Sequence, residues 1–212
     1  SVVLNVLPVH VEHLGSIDNV ARAKAEIVEG MKDGGTAILN ADDERVAAMS
    51  GLSKGNVVTY GTGSNADVRA VNISFPRFGE TRFDLVTPNG TAAVDFPLNG
   101  RHNILNALAA AAAGYTFGMT AAEVAAALAS VVPPPQRGEV LHFNNGFTVV
   151  NDSYNSNPAA LLSMVATLIE GGGSAKRKIV VAGEMLELGD DERSIHRQVG
   201  EEIAGMGVDK LI

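Results

Sequence analysis

The chain has 212 residues, 46% of them hydrophobic and 19% charged, with a net charge of -8; this excludes a disordered chain and leaves enough apolar surface for one large domain or two small ones. Non-specific nucleic-acid binding needs clustered Lys and Arg that are missing here, so no nucleic acid is expected as a partner. Zero cysteines exclude disulfides, thiolate metal sites and cysteine nucleophiles, and no apolar run reaches membrane-spanning length, so a soluble cytoplasmic protein with no membrane partner is expected.

The sequence opens in the strand-like run "VVLNVL" and stops at "VDKLI", a strand that has only just begun, so a piece of a longer protein is expected. A helix is expected from about Ser16 to Met31, closed by Gly34-Gly35, with an apolar stripe of Ile17, Val20, Ile27, Val28 and Met31. Lys24 falls inside that stripe, where an ammonium is costly unless it is paired, shifted in pKa or chemically altered. The strand "TAILN" and a short helix after Asp42 continue an α/β alternation. The middle changes character, with short strands "VVTYG", "DVRAVNISF", "TRFDLVTP" and "TAAVDFPL", the last two joined across a "PNG" turn.

Helices are expected at about 101–114 and 120–131, the first alanine-rich enough for a neighbour to approach its backbone. The prolines of "VVPPPQRG" cannot continue a helix, which places a domain boundary there and divides the chain into 1–134 and 135–212. Beyond it come a hairpin "EVLHF"/"FTVVNDS" around an "NNG" turn, and a helix opened by Asn157-Pro158 as N-cap and first helical residue. "RKIVVAGEM", a helix around Ser194 to Met206 and "VDKLI" then give the β-α-β rhythm of the first half of a doubly wound domain.

Each candidate site residue has two readings at this level. His10, Glu12 and His13 in "VHVEHLGS" have the spacing of metal ligands, or form a polar strand-to-helix loop. Asn103 and Asn106 share one face of a helix near its N-terminus, suited to a base edge or ribose, or else to capping and loop bonding. Arg137 follows the proline run at the expected domain cleft, able to neutralise phosphate or simply solvated. Asp152, Ser153, Asn155 and Asn157 in "NDSYNSNP" are suited to ligands at the carboxyl end of a sheet and equally to turns and caps. Glu184 in "VVAGEMLELGD" sits at another strand end with the same ambiguity. No G-x-x-x-x-G-K-[ST] phosphate loop occurs, and "GGGSAKRK" has the wrong order for one.

In this order, "VLPVHVEHLGSIDNVARAKAEI", "ILNADD", "PLNGRHNILNALAA", "NDSYNSNPAAL" and "VVAGEMLELGDDERSIHRQVG" resemble the Mur ligase family over nearly the whole chain. The resemblance implies an α/β fold made of the second half of a central ATPase domain and the first half of a Rossmann-like C-terminal domain. It implies an ATP-dependent amide-bond ligase of peptidoglycan precursor synthesis, with ATP and Mg2+ as cofactors. UDP-N-acetylmuramoyl-tripeptide, activated as an acyl phosphate, and D-alanyl-D-alanine are the implied partners, and the protein is expected to be a monomer. By the same match Lys24, last in "ARAK", is carbamylated and holds magnesium together with His10; Asn103 and Asn106 contact adenine; Arg137 contacts phosphate; and Asp152, Asn155 and Asn157 face the nucleotide and the incoming amine. Without a phosphate loop the isolated chain is expected to be inactive, and the alternative is a non-catalytic nucleotide- or partner-binding module derived from such a ligase.

Overall fold

The computed structural model describes residues 1–7, 14–132, 134–173 and 175–212. His10 and the rest of 8–13 lie outside the described residues, as do Pro133 and Ser174. The described residues divide into two compact units, the first comprising 1–74, 82–95 and 102–130 and the second 75–81, 96–101 and 131–212.

A six-stranded sheet runs in sequence order through β1 (Val2–Val3), β2 (Thr36–Asn40), β3 (Asn56–Gly61), β4 (Val68–Arg77), β5 (Glu80–Thr87) and β6 (Gly90–Phe96). Its first four strands pair in parallel, with Val3 opposite Leu39, Leu39 opposite Thr59 and Tyr60 opposite Val68. Two-residue connections join β4 to β5 and β5 to β6, a length that only antiparallel neighbours allow. The β4–β5 turn is pinned by Asn99, whose Oδ1 accepts from Gly79 N while its Nδ2 donates to Arg77 O at 3.3 Å and Glu80 O at 3.4 Å.

Helix α1 (Ile17–Glu29) starts where Ser16 Oγ accepts from Asn19 N at 3.2 Å, an N-cap that satisfies one of the free amides of the first turn. It ends at Glu29 with Gly30 as its C-cap, two residues short of the expected Met31, and the Gly30 amide makes the last helical bond, to Glu26 O at 2.9 Å. Its inner face meets Val3, Val6, Ala37, Leu39, Val46 and Met49 through Val20, Ala25 and Val28, with Ile17, Ala21 and Met31 at the margin. Ile27 is not part of this stripe and is 53% exposed. At 3.6 residues per turn the buried arc centres between Ile17 and Val28, and Ile27 falls roughly a quarter turn away. Lys24 lies close to that centre and is half-buried.

Short helix α2 (Glu44–Ala48) follows, with Asp43 as its N-cap. The alanine-rich α3 (Arg101–Thr116) buries Ala107, Ala109, Ala111 and Ala112 beside Ile104 and Leu108. Helix α4 (Ala121–Ala129) comes close at Gly114, where an added Cβ would sit 3.0 Å from Met119 Sδ and 3.1 Å from Val124 Cγ2.

In the second unit β7 (Glu139–His142) and β8 (Thr148–Asn151) form an antiparallel pair, and β9 (Ile179–Val180) and β10 (Lys210–Leu211) a parallel one. Helix α5 (Pro158–Gly171) opens at Asn157 as expected, and α6 (Glu192–Gly205) bridges β9 and β10. Val165, Val180, Met185, Val199 and Ile203 make its core. The protein is thus a mixed α/β molecule with a mostly parallel sheet.

Candidate functional site

The carboxyl ends of β1, β2 and β3 are where a parallel sheet offers polar groups to a ligand, and this is where Lys24 reaches. Lys24 Nζ donates to Asn5 O at 2.6 Å, and among the described residues no salt bridge reaches it. A half-buried ammonium held by one neutral carbonyl is the costly arrangement that its place on α1 implies.

The backbone it touches is held on every side. Asn40, 3% exposed at the end of β2, donates from Nδ2 to Leu4 O at 2.9 Å, and its Oδ1 accepts from Asp42 N at 2.9 Å. Asp43 Oδ2 accepts from Val6 N at 2.7 Å, while Oδ1 caps α2 by accepting from Arg45 N and Val46 N at 3.0 and 3.1 Å. The fully buried Tyr60 hydroxyl, on β3, faces Val3 O at 3.2 Å and Leu4 O at 3.3 Å. Burial, with the negative charges of Asp43 and Asp42 behind it, pushes the Tyr60 hydroxyl pKa well above its usual value, so it stays a donor. Asp42 grips the exit of β3: its carboxylate accepts from Thr62 N at 2.6 Å, Thr62 Oγ1 at 2.8 Å and Gly63 N at 3.2 Å. Gly61 leaves room for this grip, because a Cβ there would stand 2.6 Å from Asp42 Oδ1 and the carboxylate would have to shift.

Asn103 and Asn106 do meet on the first turns of α3, with Asn106 Nδ2 donating to Asn103 Oδ1 at 3.4 Å. Because α3 begins at Arg101, Asn103 is inside the helix and is not its N-cap. In the second unit the guanidinium of Arg137 lies 3.9 Å over the Tyr154 ring, a cation–π stack on the loop that carries Asp152, Asn155 and Asn157. Tyr154 N also donates to Gln136 O at 3.3 Å, which ties the Arg137 turn to that loop. Asn157 Oδ1 is occupied as the α5 cap, accepting from Ala160 N at 2.9 Å, and Asn155 Oδ1 accepts from Ser156 N at 2.9 Å.

A cavity of about 660 Å³ opens between the loop after β9 and the start of α6, lined by Ala182, Gly183, Glu184, Asp190, Arg193 and His196 among others. Glu184 was legible as a strand-end residue; Asp190, Arg193 and His196 were not singled out, although "DDERSIH" places charged groups one helical turn apart. His196 Nε2 accepts from Met185 N at 3.0 Å and Nδ1 lies 2.9 Å from Glu192 O, a pairing that puts the ring proton on Nδ1. Among the described residues no group of three or more His, Cys, Asp or Glu could hold a metal ion.

Comparison with known proteins adds the wider setting. Residues 1–114 match the Mur ligase middle domain and residues 136–212 the Mur ligase glutamate ligase domain. The UDP-N-acetylmuramoyl-tripeptide--D-alanyl-D-alanine ligase of Escherichia coli is 36% identical over 214 residues, covering 100% of this chain and 46% of that protein. The enzyme of the same name from Bacillus subtilis is 33% identical, covering 100% of this chain and 45% of that protein. The crystal structure of MurF from Acinetobacter baumannii superposes with a TM-score of 0.90 at 26% identity, over 99% of this chain and 45% of that one. MurF of Thermotoga maritima, solved in complex with ADP, shares the fold with a TM-score of 0.83 at 23% identity. The chain spans less than half the length of these curated relatives.

Proposed function

The chain belongs to the Mur ligase family, joining sequence of its middle and C-terminal domains, and on that premise we propose that it is part of a cytoplasmic ligase that adds D-alanyl-D-alanine to UDP-N-acetylmuramoyl-tripeptide at the expense of ATP. In this reading the tripeptide carboxylate attacks the γ-phosphorus of ATP, ADP leaves, and the dipeptide amine displaces phosphate from the acyl phosphate to form the amide. The domain boundary lies at 134/135, Asn103 and Asn106 hold the adenine, Arg137 meets phosphate, and Asp152, Asn155 and Asn157 border the nucleotide and the incoming amine. Arg137 is exposed on its aromatic platform, and among the described residues no salt bridge occupies its fork of N–H donors, which can meet an anion while Tyr154 fixes its plane.

The observation that carries the reading is the half-buried Lys24, which donates to the Asn5 carbonyl and, among the described residues, has no carboxylate in salt-bridge range. Its chemistry fits the implied magnesium ion: a lysine carbamate is an anion with oxygen donors, which a hard cation prefers, and Lys24 and His10 would hold it. When bound, magnesium would draw charge from the transferring phosphoryl oxygens. The chain's own residues do the positioning. These 212 residues contain no G-x-x-x-x-G-K-[ST] loop, so purified 1–212 alone is expected to show no ATP hydrolysis.

The test is Lys24→Ala in the full reading frame, with and without acetate. Alanine removes the anion and leaves a space while preserving the helix, so most activity should be lost and part recovered with acetate. Normal activity in Lys24→Arg together with no effect of any carboxylate would overturn the reading and leave Lys24 as a long side chain carrying its ammonium to water.

A further inference from the structure

Four side chains from separate elements seize successive backbone groups of residues 3–6: Tyr60 at Val3 O and Leu4 O, Asn40 at Leu4 O, Lys24 at Asn5 O and Asp43 at Val6 N. Among the described residues of this segment strand pairing covers Val2 and Val3, and over residues 4–6 these side chains take over from the sheet in fixing the chain. We propose that Asn40, Asp43 and Tyr60 are positioning residues that hold the Asn5 carbonyl as the orienting acceptor for Lys24 Nζ. This rests on the reading of Lys24 as a carbamate.

The chemistry gives the carbonyl a definite task. The neutral amine adds to carbon dioxide, forming an N–C bond and releasing one proton, and the product keeps a single N–H. A carbamate is planar like an amide, so donating that N–H to Asn5 O fixes its plane and with it the directions in which both oxygens point. Without a fixed acceptor the group rotates about Cε–Nζ, and the entropy of holding it returns as weaker retention. Asp43 is well suited to fix it, because its two oxygens join Val6 N to the amides of α2, and a carboxylate makes these bonds stronger than an amide oxygen would. Asn40 is buried with donor and acceptor both used, so it has one orientation only.

The experiment uses the complete enzyme, 13C-bicarbonate and the NMR signal of the carbamate, with Lys24→Ala to identify the signal. Asp43→Asn preserves shape but turns an amide N–H towards Val6 N or the α2 amides, and Tyr60→Phe removes a single hydroxyl should Asp43→Asn fail to fold. Each is expected to need about tenfold more bicarbonate for half-occupancy. The kcat measured at low bicarbonate should fall and recover as bicarbonate is raised, with KM for ATP unchanged. A purely structural role predicts a lower Tm with wild-type bicarbonate dependence in the variants that fold, and that result overturns the proposal. A wild-type enzyme with no Lys24-dependent signal overturns instead the carbamate reading on which the proposal rests.

Discussion

Asn157 tests whether a residue assigned to the nucleotide side of a ligase is first a piece of helix architecture. Its Oδ1 accepts from Ala160 N at 2.9 Å and Pro158 occupies the first helical position, so its side chain supplies the N-terminal cap of the fourteen-residue α5. Removing such a cap costs about 1 kcal/mol, and α5 contributes Val165 to the core of the second unit, so the loss is transmitted to its packing. For a chain of this size that corresponds to a fall in Tm of roughly 2–4 °C. Asn157→Ala, measured by calorimetry, should show that fall, and Asn157→Asp, which keeps the accepting oxygen and adds a charge favourable at a helix N-terminus, should not. In the complete enzyme Asn157→Asp with an unchanged Tm isolates any contact with nucleotide as a change in KM for ATP. A Tm for Asn157→Ala within about 0.5 °C of wild type would refute the cap as an energetic contributor.

Other perturbations separate further parts of the account. Leu108→Ala, at a fully buried position in α3, should cost about 2–5 kcal/mol by denaturant unfolding, in keeping with a cavity among close-packed alanines. The Glu123 carboxyl is held below its usual range by the Thr120 amide and hydroxyl of the α4 capping box, so its contribution is present above the unfolded carboxyl range and is lost as pH falls through the folded value; Glu123→Gln should remove that acid-side dependence of Tm. Tyr60 has the opposite sign: its raised pKa gives stability that is present below the ordinary tyrosine range and declines at more alkaline pH, and Tyr60→Phe should flatten the alkaline limb. Arg137→Lys replaces a planar group stacked on Tyr154 by a point charge and should raise KM for ATP while leaving Tm almost unchanged.

Local signals were the readable ones. Ser16, Asn157-Pro158 and the "PNG" turn each act on neighbours within a few residues, and each does so where the sequence places it. Lys24 was readable as inward from helical spacing alone, but Ile27 was misplaced because an apolar residue at the edge of a stripe has no intrinsic mark of which side is covered. The strand β1 is shorter than "VVLNVL" suggests, since residues 4–6 give their backbone groups to side chains from distant elements instead of to a neighbouring strand. Those partners, Asn40, Asp43 and Tyr60, are separated from them by 36 to 57 positions, beyond the reach of any periodicity. The His196 bond to Met185 N depends in the same way on a loop folding back on the helix that follows it. For Asn103, helix spacing was enough to bring it to Asn106, though not to tell a ligand contact from an internal one.

The central claim is that Lys24, Asn103, Asn106, Arg137 and the 152–157 loop belong to an enzyme that couples ATP to amide formation with D-alanyl-D-alanine. The most direct measurement is ADP release by the complete reading frame with UDP-N-acetylmuramoyl-tripeptide, with and without D-alanyl-D-alanine, alongside mass analysis of the nucleotide-linked peptide. The account predicts ADP in equal amount to a product one dipeptide heavier, dependent on both substrates and lost in Lys24→Ala. ADP release indifferent to D-alanyl-D-alanine, or ligation undiminished in Lys24→Ala, would contradict it.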